Sequence, residues 1–376
     1  MRYFLIFLAL AISGNMEAQK KRTAEYGIKI GILNPGRNDA ITDVPGVKVG
    51  HETITDGNSI NTGVTAILPH SGNIFQEKVP AAIFIGNGFG KLTGYSQVEE
   101  LGNIETPIVL TNTLSVPVAA EALIDYTLSI PENRGVVSVN PVVGETNDAG
   151  LNEIQKRVIT REHVLRAISK ADTGIVEEGN VGAGTGTVCF GFKGGIGTAS
   201  RIVPQQRGGY TVGVLVQTNF GGILQIDGVP VGRELGKFKF SRISEEYKED
   251  GSCMVVIMTD APLDSRNLKR LAARAMAGIA RTGGMTSNSS GDYAIAVSTY
   301  EKNRVSYTTK ERVSEVSLLR NEEMDLLFEA VIESTEEAII NSLFTARAAK
   351  GKYNFKIEEL PVEKTIEIMK KYNRIH

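Results

Sequence analysis

The chain has 376 residues, with 41 basic side chains against 43 acidic ones and a formal charge of −2. At 41% hydrophobic and 22% charged residues it can bury a sizeable core, which excludes a collagenous, disordered or disulfide-scaffold protein. The near-neutral balance gives no electrostatic footprint for nucleic acid, and glycine, at 40 residues, is the one excess.

Arg2 precedes an apolar run over residues 3–12, followed by Ser13, Gly14, Asn15 and, further on, Ala18. A basic start, a short apolar stretch and a small residue before the cut read as a secretory signal peptide over residues 1–18, cleaved after Ala18. A membrane span needs about 20 apolar residues, so this run is too short for a stable anchor. The expected destination is secreted or periplasmic.

Beyond it, short strands over 81–85, 107–111 and 211–217 alternate with helical stretches. One helix covers 118–124, with Pro117 in its first turn. Another covers 161–169, with Val164, Leu165 and Ile168 at helical spacing. No linker or composition break divides residues 20–230. Residues 233–250 are dense in charge and read as an exposed loop. Gly251 and Ser252 then open a continuous apolar run over 253–258, suited to a buried strand. Residues 260–263 turn the chain into a helix over 267–281, whose Leu268, Leu271, Ala272, Ala275 and Ile279 recur at helical spacing. A Gly/Ser-rich turn over 283–291 leads to a strand over 292–299, and a long helix over 322–350 ends at Gly351. Strands and helices that each carry an apolar face predict sheets covered by helices. Cys189 and Cys253, the two cysteines, sit in apolar, strand-like runs. Export permits a disulfide, and burial as small hydrophobes is the commoner outcome.

Several chemistries can be set aside. The run 86–91 (GNGFGK) is not a phosphate loop, because Ile85 and Leu92 stand where that motif needs a glycine and a Ser or Thr. The run 182–186 (GAGTG) places Thr187 where a dinucleotide fingerprint needs its third glycine. Both read as turns or sites of close backbone approach. His51, His70, His163 and His376 are scattered without ligand spacing, so no metal or other cofactor is expected. There is no G-x-S-x-G elbow.

What remains is the Gly251–Ser252 junction between a charged loop and a buried strand. A hydroxyl there can attack the preceding carbonyl, form an ester and be released by water as a new amino-terminal residue. Glycine before it relieves crowding at that carbonyl. The freed serine then holds nucleophile and base together, its own amine accepting the hydroxyl proton. An α-amine titrates near about 7.7–8.0, which suits base work near neutrality and removes the need for histidine.

The segment 250–263 (DGSCMVVIMTDAPL) resembles the cleavage region of the DmpA-like self-processing aminopeptidases, the L-aminopeptidase/D-esterases and β-peptidyl aminopeptidases. The likeness continues, in order, through 38–51 (NDAITDVPGVKVGH), 86–90 (GNGFG), 111–113 (TNT), 141–148 (PVVGETND), 179–186 (GNVGAGTG), 194–201 (GGIGTASR) and 289–299 (SSGDYAIAVST). The resemblance implies an α+β fold of N-terminal-nucleophile type, a four-layer αββα sandwich. It also implies one folding unit cut between Gly251 and Ser252 into a larger chain, 19–251, and a smaller one, 252–376. Homo-oligomers of such two-chain protomers are implied as well.

By the same resemblance Ser252 is the nucleophile of both maturation and turnover. Asn219 matches the oxyanion-stabilising asparagine, and one such donor is worth about 2.7–4 kcal/mol. Ser290 and Asp292 match a second active-site segment whose acid is glutamate in some members. Glu145 matches a carboxylate that pairs with the substrate's free ammonium. Residues 141–151 contain no tyrosine, so the tyrosine that some members place there has no counterpart. The implied activity is that of an exported serine aminopeptidase or amidase acting on short peptides, amides or esters through an acyl-enzyme. Rival readings are an acyltransferase of the same nucleophile type and an uncleaved, non-catalytic binding protein. Preference among α-, β- and D-amino acid substrates rests on pocket shape, which these motifs do not reveal.

Overall fold

The computed structural model describes residues 20–57, 59–241, 251–352 and 355–375. The segment read as a signal peptide falls outside the described residues, as do residues 242–250 of the charged loop and His376.

The two main sheets are carried by β1 (Lys48–Asp56), β2 (Ile60–Leu68), β3 (Glu77–Gly88), β4 (Ile108–Asn112), β5 (Val142–Thr146), β6 (Ile196–Ile202), β7 (Thr211–Asn219), β8 (Ser252–Thr259) and β9 (Gly291–Ser298). The smaller sheet has the order β1-β2-β4-β5, with β4 and β5 parallel. The larger runs from the edge pair Val305–Ser306 through β3, β9, β8 and β7 to β6, with β8 and β9 as its parallel neighbours. Strand β8 is buried along its whole length, as an unbroken apolar strand must be when both faces are covered.

Side chains alternate between those faces. Met254, Val256 and Met258 of β8, with Leu215, Ile295 and Ile83 of its neighbours, pack against Ile67, Ile108, Leu110 and Val142 of the smaller sheet. Cys253, Val255 and Ile257 point the other way, with Val214, Val216, Ala294 and Ala296. They meet Leu268, Leu271 and Ala275 of helix α3 (Ser265–Arg281) and Ala338, Ile339 and Leu343 of helix α4 (Asp325–Phe344). On the smaller sheet, Val64, Ala66, Val109 and Val143 cover Ala119 and Leu123 of α1 (Val116–Ser129) and Val164 and Ala167 of α2 (Arg161–Ser169). Helix α3 starts at Asp264, whose side chain accepts the Asn267 N–H at 2.9 Å and caps the first turn.

Three sequence expectations need correction. The long helix ends at Phe344 rather than near Lys350. Asn180 accepts the N–H of Arg347 at 3.0 Å and donates to its carbonyl at 2.9 Å, so tertiary bonds replace helical ones. Ala349–Lys350 then pairs with Lys356–Ile357, and Gly351 donates to the Phe355 carbonyl within that turn instead of ending a helix. The charged loop is not exposed throughout: Val231–Glu234 forms one helical turn, and Lys239 is buried with its N–H on the Gly222 carbonyl. In α2, Leu165 is 38% exposed while Val164, Ala167 and Ile168 face inward. Cys189 and Cys253 are both buried in the core as thiols, the commoner of the two outcomes open to them.

Candidate active site

Sheet register builds the site. In the ladder Asn219, the last residue of β7, faces Ser252, the first of β8, and Ser252 in turn pairs with Gly291, the first of β9. Three neighbouring strand ends therefore bring Asn219, Ser252, Ser290 and Asp292 together although they lie far apart in sequence.

Ser252 is 5% exposed. Its hydroxyl donates to the Gly251 carbonyl at 2.6 Å, so the Oγ lies against the peptide bond that precedes it. The same carbonyl accepts the Gly291 N–H at 3.1 Å. A Cβ on residue 251 would stand 3.2 Å from Ser290 Oγ, so glycine lets that hydroxyl approach closely.

Ser290 donates to Asp292 Oδ1 at 2.8 Å, while the buried Oδ2 has no hydrogen-bond partner among the described residues. Burial pushes the Asp292 carboxyl up to about 6, and the Ser290 hydrogen bond pulls against that rise. The side chain of Asn87 donates to the carbonyls of Ser290 and, at 3.1 Å, Ser287, holding the turn that presents the pair.

The Asn219 carboxamide is oriented at both ends. Its Oδ1 accepts the Val188 N–H at 2.9 Å, and its Nδ2 donates to the Asn147 carbonyl at 3.0 Å. A carboxamide nitrogen carries two N–H groups, so one remains to serve another acceptor.

Glu145 lies on the smaller sheet, in β5. Its Oε1 accepts the Lys91 N–H at 2.9 Å and its Oε2 accepts the Thr113 hydroxyl. Burial raises its pKa, opposed by those two hydrogen bonds and by the charge of Lys91. The link to the strand ends runs through Tyr293 and the 86–91 loop. A Cβ at Gly90 would lie 2.7 Å from the Tyr293 ring and 3.3 Å from Glu145 Oε1, so only glycine lets the loop pass between them. That run is thus a place of close backbone approach, as its sequence suggested.

The sequence did not reveal Lys91, Thr113 and Tyr293 around Glu145, or Asn147 and Val188 around Asn219. Thr113 and the 86–90 run belong to segments that resemble the family, which was the available signal. Among the described residues no group of three or more His, Cys, Asp or Glu side chains is placed to hold a metal, and no helix is long and apolar enough to cross a membrane.

The fold is similar to that of solved structures. The L-aminopeptidase D-Ala-esterase/amidase of Ochrobactrum anthropi, described as a variant of the Ntn-hydrolase fold, is 34% identical, with TM-score 0.86 over 94% of this chain and 99% of its own. A protein of Pyrococcus horikoshii OT3 is 49% identical, with TM-score 0.87 over 94% of this chain and 100% of its own. A β-aminopeptidase of a Burkholderia species is 38% identical, with TM-score 0.84 over 93% and 99%. In class, then, the protein is a mixed α/β protein with Ntn-hydrolase neighbours. It belongs to peptidase family S58, whose family model matches residues 39–356. Among characterised relatives, the β-peptidyl aminopeptidase BapA of Sphingosinicella microcystinivorans is 40% identical over 323 residues, 81% of either chain. BapA of Sphingosinicella xenopeptidilytica is 38% identical over 314 residues, 78% of either chain.

Proposed function

We propose that this S58 peptidase is an exported serine aminopeptidase or amidase that cuts itself between Gly251 and Ser252 and then releases N-terminal residues from short peptides, amides or esters. The observation that carries this reading is the Ser252 hydroxyl lodged 2.6 Å from the oxygen of its own preceding carbonyl, at a strand end shared with Asn219 and the Ser290–Asp292 pair.

In maturation, Ser252 Oγ attacks the Gly251 carbonyl carbon, the Gly251–Ser252 C–N bond breaks, and the Gly251 acyl group passes to oxygen. Water hydrolyses the ester, leaving a carboxylate on Gly251 and an amine on Ser252. The Gly291 N–H, already on that carbonyl, is suited to stabilise the oxyanion of this step.

In turnover, the Ser252 amine accepts the Oγ proton as Oγ attacks the scissile carbonyl. The tetrahedral intermediate collapses, the leaving amine or alcohol departs with that proton, and water cleaves the acyl-enzyme. Asn219 donates its remaining N–H to the oxyanion. Ser290 and Asp292 orient the Ser252 amine through a hydrogen-bond relay, and Glu145 binds the substrate's ammonium, which imposes attack at an N-terminal end.

The three apolar clusters support a four-layer αββα sandwich of one folding unit, with 19–251 and 252–376 remaining together after cleavage. Export through residues 1–18 and assembly of two-chain protomers into homo-oligomers belong to the same proposal. The names of the relatives support β-amino acid peptides and D- or L-amino acid amides and esters as the substrates to try first. Intact mass spectrometry under denaturing conditions tests the reading. The purified protein should give two species, the smaller spanning 252–376, and Ser252→Ala should give one uncut, inactive chain. A cleaved Ser252→Ala protein would sink the assignment.

A further inference from the structure

Lys193 is completely buried, in the short strand Phe192–Lys193 that pairs with Val188–Cys189. Its Nζ donates to the carbonyl oxygens of Gly184 at 2.9 Å and Gly194 at 2.6 Å. Burial pushes its pKa down to about 7. Desolvating a cation against carbonyls, with no carboxylate bonded to it, is costly. Methionine would fill the same space but would take the donor away from both carbonyls, so it is the bonds to Gly184 and Gly194, not packing, that account for a lysine here.

The two carbonyls flank the hairpin that carries Val188. Thr187 Oγ1 also donates to the Gly184 carbonyl at 3.1 Å, and the Gly194 N–H returns to the Thr187 carbonyl at 3.1 Å, so residues 184–194 close around the Lys193 amine. Val188 is the next residue, and its N–H is the donor that orients Asn219 Oδ1.

We infer that Lys193 is a positioning residue for Asn219: by clamping Gly184 to Gly194 it fixes the Val188 N–H, and so the direction in which the Asn219 carboxamide presents its second N–H. This rests on Asn219 being the oxyanion donor in turnover. Lys193 touches neither Ser252 nor substrate and acts through Val188 alone.

The test compares Lys193→Met, Asn219→Ala, their double variant and Thr187→Val, with an aminoacyl p-nitroanilide that the wild type hydrolyses and kcat expressed per processed chain. Removing an oxyanion donor costs about 10²–10³-fold in kcat, the loss expected for Asn219→Ala. Lys193→Met should lose about 10-fold or more in kcat, as a misdirected donor does, with KM within about twofold. In the Asn219→Ala background Lys193→Met should cause no further loss. Wild-type kcat in Lys193→Met, or a loss that multiplies with that of Asn219→Ala, overturns the inference. Wild-type kcat in Asn219→Ala would instead remove the oxyanion reading on which it rests. If Lys193→Met fails to fold, Thr187→Val, which removes the second hydrogen bond to Gly184, is judged by the same criteria. A kcat loss of a few fold that vanishes in the Asn219→Ala background is expected there, and a wild-type kcat overturns the inference.

Discussion

Asp292 should destabilise the native protein at the pH where it works. Among the described residues its carboxyl accepts one hydrogen bond, from Ser290, and its second oxygen has no partner, while the residue is 1% exposed. Burial lifts the pKa from its ordinary 3.8 to about 6. Between those values the folded state holds a proton that the unfolded chain has released. The protonated carboxyl therefore favours folding fully below pH 3.8, and that stabilisation is lost as pH rises through about 6. At 1.36 kcal/mol per pKa unit the whole effect is roughly 3 kcal/mol. Asp292→Asn keeps the shape and removes the ionisation, while leaving a buried amide short of partners, which costs about 1–3 kcal/mol at any pH. That penalty cancels when one variant is compared at two pH values, and distant titrating carboxylates cancel between variant and parent. In a Ser252→Ala background, which keeps the chain in one piece, urea unfolding should show the variant gaining about 2–3 kcal/mol on its parent between pH 4 and pH 8. In the processable chain the same substitution should lower kcat and abolish any acid limb near pH 6. An unfolding difference that is the same at both pH values would refute the reasoning, because it would mean that Asp292 titrates as an ordinary surface carboxyl.

Glu145→Gln should raise KM for substrates with a free N-terminal ammonium by about 10- to 100-fold, the worth of a charge-assisted hydrogen bond, and leave N-acetylated analogues unaffected. Steady-state assays on such a matched pair check this, and an unchanged preference between the two would remove Glu145 from substrate recognition. Arg201 is buried and bonds Glu333 at 2.9 Å and Glu337 at 2.6 Å. Arg201→Ala leaves both carboxylates without that partner and should cost about 3–5 kcal/mol in urea unfolding of the uncut chain at pH 8. A loss under about 1 kcal/mol would show that the carboxylates find other partners.

How far the sequence reveals this molecule depends on how local the cause is. Strand β8 and helix α3 were legible because a continuous apolar run and a 3.6-residue period each follow directly from being buried on both faces or on one. Ser252 was singled out by the chemistry open to a Gly-Ser junction before such a run together with family resemblance, and Asn219, Ser290 and Asp292 by family resemblance alone. Non-local contacts were hidden. Thr113 and Lys91 reach Glu145 across 32 and 54 residues. The end of α4 is decided by Asn180, 167 residues from the Arg347 it bonds. Lys193 and Arg201 gave no warning, since charged side chains beside glycine or in a polar run read as solvated until the fold buries them. In each case a tertiary partner overrides the local pattern.

The register of the central strands also bears on how a chain cut at its active site could stay whole. The bond between Gly251 and Ser252 lies just outside the ladder. Every pair from Ser252 to Thr259 with β7, and from Ser252 to Thr259 with β9, is made by residues on the 252 side of the cut and their neighbours. Cleavage there breaks no residue pairing of either ladder, and the Gly291 N–H bond to the Gly251 carbonyl would then join the two chains. It would leave β8 clamped between β7 from the larger chain and β9 from the smaller, with β9 in turn paired to β3 of the larger chain. The smaller chain would thus be inserted between two strands of the larger one, and separating the two would expose the apolar faces of β8 and β9 and helices α3 and α4 at once. What the proposed cut would free is the Ser252 amine, at a strand start where its own hydroxyl, Ser290 and Asn219 already converge. A self-cleaving site at a strand's first residue can therefore gain a catalytic base without giving up the packing that positions it.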